Sequence, residues 1–281
     1  MQKQELVRLL VKLGIRPNKL KGQNFLVEDD INPRMIAAAD LRAGETVVEV
    51  GPGLGVLTRE LLNAGARVIA IEQERQFGEY LRKKFKGSPL SVLIGNAVLK
   101  IPELKLPKDY KVVSNLPYAI TSPVVNLFLT CSAGLELTRV PARPSKLVLM
   151  VQKEVAERLT APPGRKARGI LTVLIELLGA ARIVKRVGTE AFYPPPKVES
   201  AIIEIDVRSR ELETADVERI MKVVKFGFSK RRAQLKNVFK KYPSAQSGVS
   251  LLASAGINGT LRAEDLTADD WRKLAKFISD K

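Results

Sequence analysis

From Thr46 onward the chain alternates short, strongly apolar runs with stretches of helical periodicity, and this alternation restricts the fold more than any other feature. The runs Thr46–Val50, Arg67–Ile71, Leu90–Ile94 and Tyr110–Ser114 have strand length, and helical patterns open at Val56, Gln73 and Ser122. Strands interleaved with helices pair in parallel, so the pattern predicts a doubly wound, mostly parallel α/β sheet of the Rossmann-like kind. A buried strand at Lys146–Val151, a helix at Ile170–Leu178 and strands at Arg182–Val187 and Glu199–Val207 follow, the last two flanking Pro194-Pro195-Pro196. Two late strands joined through a turn predict an antiparallel edge. After Arg210 only helical patterns remain, at about 214–227, 231–240, 247–254 and 267–279, the last opening on Thr267 as N-cap and containing Trp271. A chain of 281 residues exceeds the usual size of one domain. The boundary is expected near 208, between a domain at 1–207 with a basic amino-terminal extension at 1–24 and a small all-helical domain at 208–281.

Charge narrows the partners. Forty-seven Lys and Arg stand against thirty Asp and Glu, a net charge of +17, which calls for a polyanion such as nucleic acid or an anionic membrane surface. Residues 221–241 hold Lys222, Lys225, Lys230, Arg231, Arg232, Lys236, Lys240 and Lys241 with no acidic residue, interleaved with Phe226, Phe228 and Phe239. Such a run predicts contacts to phosphates that position a nucleic acid without reading its sequence. The loop Gly164-Arg165-Lys166-Ala167-Arg168 and the extension, with Lys3, Arg8, Lys12, Arg16, Lys19 and Lys21, would extend that surface. The single cysteine, Cys131, excludes an intrachain disulfide and a Cys-cluster metal site. The absence of histidine removes imidazole bases, His-activated nucleophiles and the usual zinc ligands, so no metal is expected. No apolar run approaches ~18 residues and the amino terminus lacks a secretory pattern, so the expectation is a cytoplasmic protein without membrane segments.

Four strand ends carry polar or Gly-rich positions that converge on one crevice, where open α/β sheets hold ligands. Glu49 through Gly55 places Gly51, Gly53 and Gly55 between the first strand and a helix, a turn that permits close backbone approach. Its G-x-G-x-G spacing differs from the dinucleotide fingerprint G-x-G-x-x-G. Glu72 ends the second strand, where a carboxylate accepts from both hydroxyls of a ribose. Asn96 follows the third and can pair with an adenine edge. Asn115-Leu116-Pro117-Tyr118 follows the fourth. Its Asn carbonyl and a backbone carbonyl can both accept from a planar –NH2 while the Tyr ring stacks on the heterocycle, which suits an exocyclic base amine. Ribose plus adenine without pyrophosphate matches S-adenosylmethionine. Phe192 is a candidate second aromatic wall for a base that must be unstacked to enter.

At these motifs the chain resembles the KsgA-type small-subunit ribosomal RNA adenine N6-dimethyltransferases, which share their fold with the Erm-type large-subunit enzymes. The resemblance runs through Gly22 to Leu26, Glu49 to Thr58, Asn115 to Tyr118, Gln152 to Val155, Phe192 to Ser200 and Phe228 to Asn237. It implies a methyltransferase sheet, S-adenosylmethionine as cofactor, and Asn24, Leu26, Gly51, Glu72 and Asn115 as cofactor contacts, with Gly53 in the same loop. It implies Asn115, Leu116, Pro117 and Tyr118 as the methyl-transfer group, and ribosomal RNA of the small subunit or its precursor as partner of a monomer active in ribosome biogenesis. Two positions depart from the family pattern, Asn96 for a common Asp and Ala119 for a common Asn. Two other readings remain: an Erm-like large-subunit enzyme, and a non-catalytic RNA- or DNA-binding assembly or transcription factor on the same fold.

Overall fold

The computed structural model describes residues 3–15, 17, 23–130, 142–207, 212–243 and 248–277. The expectations for Cys131, Arg16, Lys19 and Lys21 fall outside the described residues. The chain divides into two compact units, one of residues 1–156 and 182–206, the other of 157–181 and 207–281. The sequence suggests a single cut near 208, whereas residues 157–181 group with the carboxy-terminal helices. The reason lies in helix α8 (Ile170–Leu178), ILTVLIELL, whose apolar faces pack on the helices that follow 212.

The first unit is built on a seven-stranded sheet. Its strands are β2 (Thr46–Val50), β3 (Arg67–Glu72), β4 (Leu90–Ile94), β5 (Lys111–Asn115), β6 (Lys146–Gln152), β7 (Gly179–Val187) and β9 (Ser200–Val207), in the spatial order β4-β3-β2-β5-β6-β9-β7. From β4 through β6 all neighbours run parallel, and β6 pairs antiparallel with β9. The antiparallel edge follows from the β7–β9 return that the sequence predicts. The central strands read as continuous apolar runs because both faces are covered: Val112, Val113, Leu147, Val148, Leu149 and Met150 are all fully buried. Helices α2 (Ile31–Ala39), α3 (Val56–Asn63), α4 (Arg75–Lys84) and α6 (Thr121–Thr130) supply that cover, with the short α5 (Ala97–Lys100) after β4 and α7 (Lys153–Leu159) after β6.

Besides the one-turn α5, three elements have no counterpart in the sequence reading. Helix α2 is one, and it packs on β5, β6 and α3. The others are the two-residue strands β1 (Phe25–Leu26) and β8 (Phe192–Tyr193), which pair antiparallel as Phe25↔Tyr193 and Leu26↔Phe192. Helix α1 (Lys3–Lys12) is amphipathic as expected: Leu6 and Leu10 are buried against Leu54 and Phe77, with Phe25, Tyr80 and Tyr193 around them. Its cations Lys3, Arg8 and Lys12 are exposed.

The second unit is helical: α8, α9 (Thr214–Gly227), α10 (Leu235–Phe239), α11 (Gly248–Ser254) and α12 (Ala268–Lys276). Helix α12 starts with a reciprocal cap, the Thr267 Oγ1 accepting from the Asp270 N–H at 3.1 Å and the Asp270 carboxylate from the Thr267 N–H at 3.0 Å. Its Trp271 is fully buried beside Phe228. Among the described residues no helix is long and apolar enough to cross a membrane.

Candidate active site

The carboxyl ends of β2, β3 and β5 open into one cavity of about 470 Å3, within the range of small-molecule sites. Glu72, Gly51, Gly53, Asn24, Leu26, Phe192 and the whole of Asn115 to Tyr118 line it. Two features draw the strand ends together. The buried Ser114 hydroxyl accepts from the Val50 N–H at 2.8 Å, tying the end of β5 to the end of β2. Gly51, at φ 71°, brings its backbone so near Pro117 that an added Cβ would lie 3.1 Å from the proline Cδ. The Gly loop and the Asn-Leu-Pro-Tyr loop are therefore adjoining walls of the same cavity. Gly55, at φ 73°, lets the loop enter α3 where any side chain would run into Leu81 and Phe85.

Glu72 is 6% exposed and accepts from the Gly53 N–H and the Glu74 N–H, each at 2.9 Å. Burial raises its pKa above the usual carboxylate value, while the backbone donors at Glu74, Gly53 and Gln73 oppose the rise. These backbone bonds leave lone pairs on the carboxylate, which, held by the loop, can still accept from a pair of hydroxyls. Asn115 sits at the last register position of β5, opposite Met150. Among the described residues neither its side chain nor the Leu116 carbonyl has a hydrogen-bond partner, so two acceptors stand open in the cavity wall. The Tyr118 hydroxyl lies 2.7 Å from the Oγ of the fully buried Ser200 at the start of β9, which fixes the ring. Burial raises the Tyr118 pKa, the Ser200 bond opposing it. Phe192 is 4% exposed and belongs to the core cluster while lining the cavity, so it is both a packed anchor and a wall.

Asn96 is placed differently from its expected role. Its side-chain oxygen accepts from the Val98 N–H at 2.9 Å, capping α5; the residue is exposed and does not line the cavity. An Asn before a helix is a preferred cap, and that local bond engages one lone pair of the oxygen proposed for the adenine edge and holds the side chain against α5. Five polar lining residues have no site role in the sequence reading: Gln23 and Glu49, which lie in the quoted motifs, and Asn32, Gln73 and Glu74. Glu49 is fully buried at the end of β2, and its Oε2 accepts from the Thr58 hydroxyl at 2.6 Å. Burial pushes its pKa up to about 8, the Thr58 bond opposing and the nearby Glu72 adding to the rise.

A neutral Glu49 makes stability depend on pH. Its folded pKa lies above the unfolded value of 4.5, so the full stability is present below about pH 4.5 and is lost as pH rises through about 8. Replacing Glu49 by Gln keeps a neutral acceptor for Thr58 and removes that loss. Denaturant unfolding should give equal stabilities near pH 5 and a variant more stable by on the order of a few kcal/mol near pH 9. A difference that does not change with pH would mean that Glu49 is ionised throughout.

In the second unit Arg165, Lys166, Lys222, Lys225, Lys230, Arg231, Arg232 and Lys236 are exposed. Lys230, Arg231 and Arg232 surround a shallow concavity with Ala233. None of these eight has an ion-pair partner among the described residues. Arg168 departs from its expected place on this surface. It is 1% exposed, pairs with Glu176 and donates to the carbonyls of Ala161 at 3.0 Å and Leu266 at 3.2 Å. A buried guanidinium held by a carboxylate and two carbonyls is an internal brace of the unit and is not available to a phosphate. Arg231 donates to the Arg168 carbonyl at 3.4 Å and otherwise faces solvent.

Comparison with known proteins bears on the whole chain. The family model described as ribosomal RNA adenine dimethylase matches residues 15–280. A curated relative from Dehalococcoides mccartyi, named ribosomal RNA small subunit methyltransferase A, is 40% identical over 92% of this chain and 88% of its own. One of the same name from Synechocystis is 35% identical over 95% of this chain and 98% of its own. Among solved structures, a dimethyladenosine transferase from Plasmodium falciparum superposes with a TM-score of 0.74 at 26% identity, covering 89% of this chain and 95% of that one. The 23S rRNA methyltransferase ErmE gives 0.68 at 29% identity, covering 91% and 99%.

Proposed function

Because the chain belongs to the ribosomal RNA adenine dimethylase family, we propose that it transfers methyl groups from S-adenosylmethionine to N6 of adenine in small-subunit ribosomal RNA, giving N6,N6-dimethyladenosine. The observation that carries the proposal is the pair of open acceptors, the Asn115 side-chain carbonyl and the Leu116 carbonyl, in the same cavity as the Glu72 carboxylate. The cofactor fits that cavity in kind: an acidic group at one end suits ribose hydroxyls, and the Asn115 and Asn32 amides, without a partner among the described residues, suit polar groups that lose water on binding. Bound there, S-adenosylmethionine supplies an electrophilic methyl group.

The chain's residues have to position an amine and make its lone pair available. In the first transfer the Asn115 and Leu116 carbonyls accept from the two N–H bonds of adenine N6, in the second one of them accepts from the single N–H that remains, and each time the bond draws the lone pair out of conjugation with the ring. Tyr118, braced by Ser200, stacks on the base, and Phe192 closes the other side. Pro117 sets the turn that carries both acceptors. Excluding water and fixing geometry supply most of the acceleration, and no general base is needed when the proton departs to water after transfer. This suits a chain without histidine. Asn24, just before β1, and Leu26 in it cover the cofactor, Glu72 takes the ribose, and Gly51 and Gly53 allow close backbone approach. With its side chain capping α5, Asn96 leaves the adenine of the cofactor to other residues.

The exposed cations of the second unit, Arg165, Lys166, Lys222, Lys225, Lys230, Arg231, Arg232 and Lys236, are assigned to phosphates of the RNA. Reversing charge at Arg231 and Arg232 should weaken RNA binding across sequences and flatten the dependence of log K on log salt by about 0.7–0.9 for each phosphate that is no longer neutralised. Cofactor affinity should not change, since no residue lining the cavity is touched. Filter binding across a salt series checks this, and unchanged affinity and slope would move the RNA-binding surface elsewhere. The large-subunit reading is tested by offering unmodified small and large subunits in competition. Label from the cofactor is expected in small-subunit RNA, and label confined to the large subunit would overturn the assignment.

A further inference from the structure

One buried polar side chain in the cavity is not used by the transfer scheme. Asn32 lies in the first turn of α2, is 6% exposed, lines the cavity, and has no hydrogen-bond partner for its side chain among the described residues. Its neighbours Ile31 and Met35 are fully buried in the apolar cluster that includes Leu57, Val113 and Met150. Without a partner among the described residues, the amide opens onto the cavity, so its donors and acceptor are available to whatever fills it. A position of that kind filled by Asn, where Leu would satisfy the cluster, points to a ligand group that completes the bonds.

The lining residues restrict what that group is. Among the described residues the cavity is lined by Glu49, Glu72 and Glu74 but by no Lys or Arg. An anionic group entering it must therefore be met by neutral N–H donors. Helix α2 packs on β5, β6 and α3, while Glu72 ends β3 at the other side of the Gly loop. A sulfonium centre has three arms. With the methyl directed to the amine at Asn115 and the ribose to Glu72, the amino-acid arm is left for the wall formed by α2 and the start of α3.

We propose that the Asn32 side-chain NH2 donates to the α-carboxylate of the cofactor's amino-acid arm. The assignment rests on the cofactor reading given above. It makes Asn32 a binding residue for that arm alone, with no part in holding the adenosine.

Calorimetry with two thioether probes tests it. S-adenosylhomocysteine carries the amino-acid arm, and 5′-methylthioadenosine has the same adenosine and sulfur without it. Asn32→Leu should weaken S-adenosylhomocysteine ten- to a hundredfold and leave 5′-methylthioadenosine within twofold, with a melting temperature equal to or above that of the unaltered chain. Asn32→Asp, of nearly identical shape, should weaken S-adenosylhomocysteine further by setting a carboxylate against a carboxylate, again sparing the shorter probe. Unchanged affinity for S-adenosylhomocysteine in Asn32→Leu overturns the proposal, as does an equal loss for both probes, which would mark a general distortion of the cavity. Tighter binding by Asn32→Asp overturns it too, because the amide would then be facing the ammonium group. If the unaltered chain binds neither probe, the cofactor reading itself falls and this assignment with it.

Discussion

Substituting Ala for Asn115 is expected to lower the rate of methyl transfer by roughly 10²–10³-fold or more, the scale on which a single preorganised polar group at a reacting centre acts. The side chain provides one of the two acceptors for the amine, and Ala puts no fixed acceptor in its place. The fold should be indifferent to the change. Asn115 keeps its backbone register opposite Met150, and its side chain has no partner among the described residues to lose. RNA affinity should remain within a few fold, because phosphate binding is assigned to the second unit. Single-turnover kinetics with saturating cofactor and RNA would separate the two effects. A fall in the transfer step at saturating cofactor with the RNA dissociation constant preserved is the expected outcome, and near-normal turnover would remove Asn115 from the chemistry.

Glu72→Ala should act on the other substrate. Two ribose hydroxyls would lose a charged acceptor at about 1.5–3 kcal/mol for each bond, so the cofactor's dissociation constant should rise at least roughly a hundredfold. Part of that loss is indirect, since the Gly53 and Glu74 N–H groups also lose their acceptor and the Gly loop is freed. Glu72→Gln separates the two contributions: it keeps one oxygen for the loop and loses the charge. The Gln variant should fall between the unaltered chain and Glu72→Ala when titrated with S-adenosylhomocysteine, and calorimetry showing unchanged affinity for both would contradict the ribose assignment. Removing Glu72 also removes a negative charge that raises the Glu49 pKa, so the pH at which stability declines should move down.

The parts of the fold that sequence makes legible are those whose burial is periodic. Helix α9 runs Thr214–Gly227 as its pattern predicts, and β2 and β4 have their expected limits. The chain also carries the Thr267 cap openly, since Thr followed by Asp270 before a buried Trp271 is a local signal. Helix α2 escapes because INPRMIAAA has a Pro in its first turn and a weak amphipathic pattern. The β1–β8 pair escapes because two-residue strands have no period, and its two members lie far apart in the chain. Residues 157–181 read as a continuation of the sheet domain, yet α8 is apolar on nearly every side and buries that surface among helices far along the chain.

At the site, Gly51, Gly53, Glu72 and Asn115 to Tyr118 can be located because strand ends place polar residues predictably in an open sheet. Asn96 and Arg168 show the limit of that reasoning. Residue type assigns each to a ligand, and each spends its polar atoms on a local structural bond: Asn96 on the cap of α5, Arg168 on Glu176 and two carbonyls. Asn32 is the reverse case, a polar residue inside an apolar pattern whose importance is visible only once the cavity is formed around it.

This crevice is expected to deliver methyl groups to an exocyclic adenine amine. The most direct measurement incubates the protein with S-adenosylmethionine carrying an isotopically labelled methyl group and unmodified small ribosomal subunits, digests the RNA to nucleosides and analyses them by mass spectrometry. The account predicts N6,N6-dimethyladenosine with label in both methyl groups, lost in Asn115→Ala. Label on a ribose oxygen, on a pyrimidine or on adenine N1, or no label in RNA at all, would contradict it.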